Sequence, residues 1–212
     1  MTSSTRRTTA EVRELVLGAA QQLFREQGYA ATTTKQIANT AGVAETVVFD
    51  RFGTKPELFE VATIEPFRAF IGDYIASWRS IPRGGDIEKL IKTFIDGFIR
   101  LLSQNRRMLQ DCTAASMSGD NSAMARLSRL VQQDFARALT QMSEVLEGED
   151  AALHFGGLDP PLSVAAGLGM AMSLVLLDDW LIDPDHRRPG RERILRELTA
   201  MILHGLTHRP SS

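Results

Sequence analysis

The sequence has one cysteine, two tryptophans and two tyrosines in 212 residues. The single thiol, Cys112, excludes an internal disulfide framework and fits a reducing compartment. No apolar run is long enough to cross a bilayer. The most apolar stretch, Val164 to Leu177, is interrupted by glycines and Ser173 and runs into Asp178-Asp179, so it reads as a buried helix. The opening segment, MTSSTRRTTAEVRE, lacks the apolar core of a signal peptide. A cytoplasmic protein without a membrane partner is expected. Strand-like alternation and Asn-Gly hairpins are missing, as are internal repeats, phosphate-binding glycine loops and zinc signatures. No large excess of one charge is present either, with a formal net charge of −2. Residues 1–55 carry +2 and the remainder −4, which permits a polyanionic partner for the first part without demanding one.

What is present is helical periodicity. From Val12, apolar or small residues recur at 12, 15, 16, 19, 20, 23 and 24, one face of a helix. Gly28 is placed to stop that helix in a left-handed conformation. Thr33 or Thr34 is a natural N-cap for a short helix through Ala41. Gly42 makes a turn, and a second short helix runs from about Ala44 to Phe52. Gly53 ends it. Thr54-Lys55-Pro56-Glu57 is a capping box that opens a long helix through about Trp78, with Pro66 as a kink or break. Further helices are expected at about 86–104, 106–117, 120–147, 161–182 and 190–207. The fold class is all-α. The expected division is a small domain at 1–55 and a larger helical domain at 56–212.

Helices as short as 34–41 and 44–52 do not stand alone, because nucleation costs too much for so few hydrogen bonds. They need bracing. Ile37, Ala38, Ala41, Val43, Val48 and Phe52 can pack on Leu15, Ala19, Leu23 and Phe24. The result is a three-helix unit with a tight turn at Ala41-Gly42-Val43. Such helix-turn-helix geometry offers the second short helix to a DNA major groove.

Residues 12–59 carry a specific resemblance at this point. The segments LFREQGYAATTTKQIA and AGVAETVVFDRFGTKPELF resemble the DNA-binding domain of TetR-family transcriptional regulators. The resemblance implies that Thr33 caps the second helix and meets a phosphate. It implies that Thr34 and Lys35 approach the DNA backbone and that Lys55 binds phosphate. It assigns the recognition face to Ala44, Glu45, Thr46, Val47, Phe49, Asp50 and Arg51. Two positions depart from the family pattern. Ala44 stands where Ser or Thr is usual, and Phe49 where Tyr is usual. Glu45 and Asp50 also bring negative charge to that face. Each could pair with a neighbouring arginine or accept from a cytosine amino group.

The same resemblance implies a ligand-responsive repressor that binds a palindromic operator as a homodimer, through helices at about 161–182 and 190–207. Twofold symmetry suits a reader of two half-sites about one helical turn apart. Gly167 and Gly169 would allow close helix approach. Ile194, Leu195, Leu198, Met201, Ile202 and Leu206 form one stripe, which an intramolecular core could also use. Aromatic and sulfur residues gather at Phe67, Phe70, Tyr74, Trp78, Phe94, Phe98, Met108, Cys112 and Phe135. They are candidates for lining a pocket for a mainly apolar effector, although a stripe at helical spacing serves a core equally well.

No catalytic, metal or cofactor site is expected. His204 and His208 have metal-binding spacing but no further ligand nearby in sequence, and read as a surface pair. His154 reads as a loop residue. Asp178 and Asp179 point about 100° apart on a helix, with no base–nucleophile set beside them. Cys112 reads as a small apolar core residue. An all-helical enzyme and an effector-free nucleoid protein are the alternatives. The first needs convergent titratable groups in one pocket, the second a filled core.

Overall fold

The computed structural model describes residues 7–80, 86–118, 122–153, 159–183, 185 and 188–207. Eleven α-helices and one π-helical turn make up the described chain, and no strand occurs among the described residues. The chain forms two compact units. One is Met1–Arg68 with Gln110–Val131, the other Ala69–Leu109 with Gln132–Ser212.

The first unit begins with α1, Thr9–Ala31. Its N-terminus is a capping box. The Thr8 hydroxyl accepts from the Glu11 amide, and the Glu11 carboxylate accepts from the Thr8 amide. Gly28 has φ 80° and ψ 166°, a region suited to glycine, and it breaks the helical path. The helix does not stop there as the sequence suggested. Tyr29 to Ala31 resume a helical turn. The Thr32 hydroxyl, buried, donates to the Gly28 carbonyl at 2.7 Å.

Helices α2 (Thr34–Ala41) and α3 (Glu45–Phe52) follow. Between the two threonines that could cap α2, Thr33 does so, with Gln36 completing a capping box. The core of this unit is Val16, Ala20, Phe24, Ile37, Val48, Phe52, Leu58 and Phe59. The first-helix face sits slightly rotated from the one expected. Val16 is fully buried, whereas Leu15 is 40% exposed. Phe24, Tyr29 and Phe59 form a mutual aromatic cluster with ring centroids 5.2–5.8 Å apart.

The long helix expected from 54 to 78 is present as one unbroken helical run, with a π-helical turn inside it. Its parts are α4 (Lys55–Phe59), the π-helical turn Glu60–Ile64 and α5 (Glu65–Ser80). Pro66 explains the π-helical turn. It has no amide hydrogen to give the Ala62 carbonyl four residues back. The Gln21 side-chain amide donates to that carbonyl instead, at 2.9 Å.

In the second unit α6 (Ile87–Gln104) buries Ile91, Phe94, Ile95, Phe98, Ile99 and Leu102 on one face. It packs on α9 (Pro160–Leu176) and α11 (Arg191–Thr207). The chain also contains α7 (Arg106–Ser118) and α8 (Ala123–Leu153). The helix expected over 161–182 ends at Leu176. Leu177 (φ −119°, ψ 21°) leaves the helical path, and Asp178–Leu181 is a separate turn, α10. The two aspartates supply the reason. Asp178 accepts from the Asp179 amide, and both carboxylates are bound by the guanidinium groups of Arg106 and Arg188. Short acidic side chains that bond nearby backbone compete with helix continuation.

Candidate nucleic-acid interface and apolar cavity

The turn between α2 and α3 is held from three directions. Gly42 is left-handed at φ 65° and ψ 42°, and its amide bonds back to Ala38 and Asn39. Val43 continues the pattern with an amide bond to the Ala38 carbonyl. Arg7 adds a clamp that local sequence could not reveal. Its Nη1 donates to the Gly42 carbonyl at 3.0 Å and the Ala41 carbonyl at 3.5 Å. The pairing spans more than thirty residues of chain.

All eleven sequence-predicted contact residues are exposed or half-buried, so none is consumed by the core. Thr33 spends its hydroxyl on capping. Thr34 donates to Glu45 Oε1 at 2.6 Å, which joins the starts of α2 and α3. Glu45 therefore has a hydroxyl partner, not an arginine. Lys35 is exposed. Ala44 is the N-cap of α3 and makes no side-chain cap, as its methyl group dictates. Thr46, Phe49 and Asp50 lie on the exposed side, and Val47 is half-buried. Arg51 is exposed and donates to the Thr9 carbonyl at 2.9 Å. Lys55 Nζ lies 4.2 Å from the centre of the Tyr29 ring. Partial burial pushes its ammonium below the usual lysine range. Gly53 must be glycine for two reasons. Its φ is 68°, and a Cβ there would lie 2.3 Å from Glu57 Oε2, the carboxylate that caps α4.

An apolar cavity, open at its mouth, lies in the second unit. Tyr74 and Trp78 come from α5, Phe94 from α6, Met142 from α8, Ser163 from α9 and Ile202 from α11. Among the described residues no Asp, Glu, Lys, Arg or His lines it. Burial pushes the Tyr74 hydroxyl well above the usual tyrosine range, against a lesser opposing hydrogen bond from Trp78. The ring therefore stays neutral.

Three of the nine aromatic and sulfur candidates line this cavity: Tyr74, Trp78 and Phe94. Phe70 and Phe98 stack behind Phe94, with centroids 5.3 and 5.7 Å away, and Phe135 lies 6.5 Å from Phe98. Met108 is buried elsewhere in the same unit. Phe67 and Cys112 belong to the first unit and do not reach the cavity. The Met142, Ser163 and Ile202 walls were not legible as pocket residues, because each sits among core-like or interface-like neighbours in sequence. Phe70 depends on Gly97, where a Cβ would lie 2.6 Å from the phenyl ring. The glycines expected to allow close approach do not do so within the chain. A Cβ at Gly167 would make ordinary contact with Ile202, and Gly169 has open space.

Burial pushes the Cys112 thiol up to about 12, with Asp111 adding to it, so a thiolate is disfavoured. Asp178 and Asp179 are tied to arginines. His204 is exposed, while His154 and His208 lie outside the described residues. Among the described residues no cluster of His, Cys, Asp and Glu could hold a metal, and no helix is long and apolar enough to cross a membrane.

A braced turn that presents a short helix with exposed polar and apolar side chains defines a helix-turn-helix protein. Residues 16–62 match the family described as bacterial regulatory proteins, tetR family. Over those residues the chain is similar to the TetR family. It is 49% identical over 45 residues to an uncharacterized HTH-type transcriptional regulator, YvkB, of Bacillus subtilis (strain 168). That match spans 21% of this chain and about a quarter of the relative (24%). The fold extends further. The fatty acid degradation regulator FadR from Bacillus halodurans superposes with a TM-score of 0.68 over 97% of this chain and 100% of its own, at 18% identity. The TetR family transcriptional regulator PfmR from Thermus thermophilus gives 0.60 over 90% and 96%, also at 18% identity.

Proposed function

We propose that the chain is a cytoplasmic, ligand-responsive transcriptional repressor and not an enzyme. It binds a palindromic operator as a homodimer and is released by a small, mainly apolar effector. Residues 1–55 read DNA, and residues 56–212 bind effector and dimerise. The observation that carries this reading is the helix-turn-helix surface, whose predicted contact residues all remain accessible. An uncharged cavity in the second unit supports an apolar effector, as does the likeness to a protein named as a regulator of fatty acid degradation.

Dimerisation uses α9 and α11. Leu162 (66% exposed) and Met201 (59%) present apolar surface there beside the open Gly169. Release couples two equilibria. Tyr74 and Trp78 lie on α5, which continues the chain from α4 through the π-helical turn. Filling the cavity shifts that continuous segment and lowers operator affinity.

The test is binding of the purified protein to DNA upstream of its own gene, against random competitor and across salt concentrations. Specific binding of a dimer supports the reading. Binding no tighter than to random DNA at every salt concentration counts against it.

A further inference from the structure

The recognition helix is poor in hydrogen-bond donors. Its one cation, Arg51, reaches back to the Thr9 carbonyl. Its two carboxylates stand at opposite ends of the exposed face. Glu45 is steered at one oxygen by Thr34. Asp50 is exposed and has no hydrogen-bond partner among the described residues. Between them lie Thr46, Val47 and the half-exposed ring of Phe49, with Ala44 just before Glu45.

This composition restricts what the helix can read. Guanine offers two acceptors, N7 and O6, in the major groove and needs a two-pronged donor such as arginine. A carboxylate is repelled by those acceptors and by phosphates. Its attractive partners are exocyclic amino groups, and cytosine N4 suits it better than adenine N6, which stands beside the N7 acceptor. Apolar side chains recognise the C5-methyl of thymine. We propose that α3 reads its half-site through thymine methyl groups and a cytosine amino group, and not through guanine acceptors. The inference rests on the reading that α3 enters the major groove.

The experiment starts with selection of sites from random duplex DNA by the full-length protein. The selected site is then synthesised with deoxyuridine for thymidine, which removes only the methyl group. A second version carries 7-deazaguanine for guanine, which removes the N7 acceptor. Affinities are compared at one salt concentration. Loss of the methyl is expected to weaken binding about fivefold to tenfold at one or more positions of each half-site, whereas 7-deazaguanine changes it less than about twofold.

Selection is repeated with Asp50→Asn and with Glu45→Gln. At least one is expected to move a preferred cytosine to adenine, because an amide both donates to N7 and accepts from N6. A cost of about tenfold from 7-deazaguanine overturns the proposal, as does indifference to both analogues. So does an unchanged selected base in both variants. In those three cases the regulator reading survives, because a specific site was selected. Failure to enrich any sequence overturns the regulator reading and this inference with it.

Discussion

Gln21 and Ala62 are joined by a side-chain to main-chain hydrogen bond of 2.9 Å, at the carbonyl that Pro66 deprives of its helical donor. The bond ties α1 to the π-helical turn inside the first unit. Replacing Gln21 by Leu removes the donor and keeps the bulk. A loss of about 1–3 kcal/mol is expected in urea unfolding, the cost of an unsatisfied buried carbonyl. Pro66→Ala in the same chain restores a backbone donor and should recover part of the loss. Equal stability of Gln21→Leu and wild type would show the bond to be idle.

Gly97→Ala should destabilise, although alanine is the better helix former by about 1 kcal/mol. The added methyl falls 2.6 Å from the Phe70 ring, which stacks on Phe94 at the cavity wall. Overpacking of this kind costs about 1–3 kcal/mol. Thermal unfolding of Gly97→Ala, alone and with Phe70→Leu, separates the two effects. The double variant should be the more stable of the two.

The capping carboxylates set an acid limit. Hydrogen bonds from the backbone and then the side chain of Thr8 hold Glu11 below its ordinary value of 4.5, and Thr54 does the same for Glu57. A depressed carboxylate contributes stability above its unfolded value, and that contribution is lost as pH falls through the depressed one. Denaturation midpoints followed downward from pH 6 should therefore decline below about 4.5. Glu11→Gln with Glu57→Gln removes both titrating groups and should flatten part of that decline. An identical pH profile in the double variant would remove the caps from the explanation.

Trp78 lines the cavity and Trp180 is 87% exposed, so Trp180→Phe leaves one tryptophan that reports on the cavity. Titration with 2-naphthol should change its fluorescence. The 2-naphthoate anion should bind at least about tenfold more weakly, because no lining cation offsets the burial of its charge. Tighter binding of the anion would refute a neutral effector.

Lys55→Ala and Arg51→Ala should each weaken operator binding. If Lys55 meets a phosphate, its loss should also reduce the salt slope by about 1 per protomer. Wild-type affinity in both variants at several salt concentrations would place the DNA surface elsewhere.

Local chemistry made much of this fold legible. Three caps or turns were written in short segments: an N-cap at Thr33 or Thr34, the turn at Gly42, and the box of Thr54 with Glu57. These features depend on residues three or four apart, which the helix itself brings together. Tertiary structure decided what distant residues share. It chose Arg7 as the clamp on the Gly42 turn and paired Thr34 with Glu45. It filled the gap left by Pro66 with Gln21. It also drew three of the nine pocket candidates to the cavity and completed the wall from α8, α9 and α11. An apolar side chain carries the same helical periodicity whether it faces a core or a cavity, so only packing distinguishes the two.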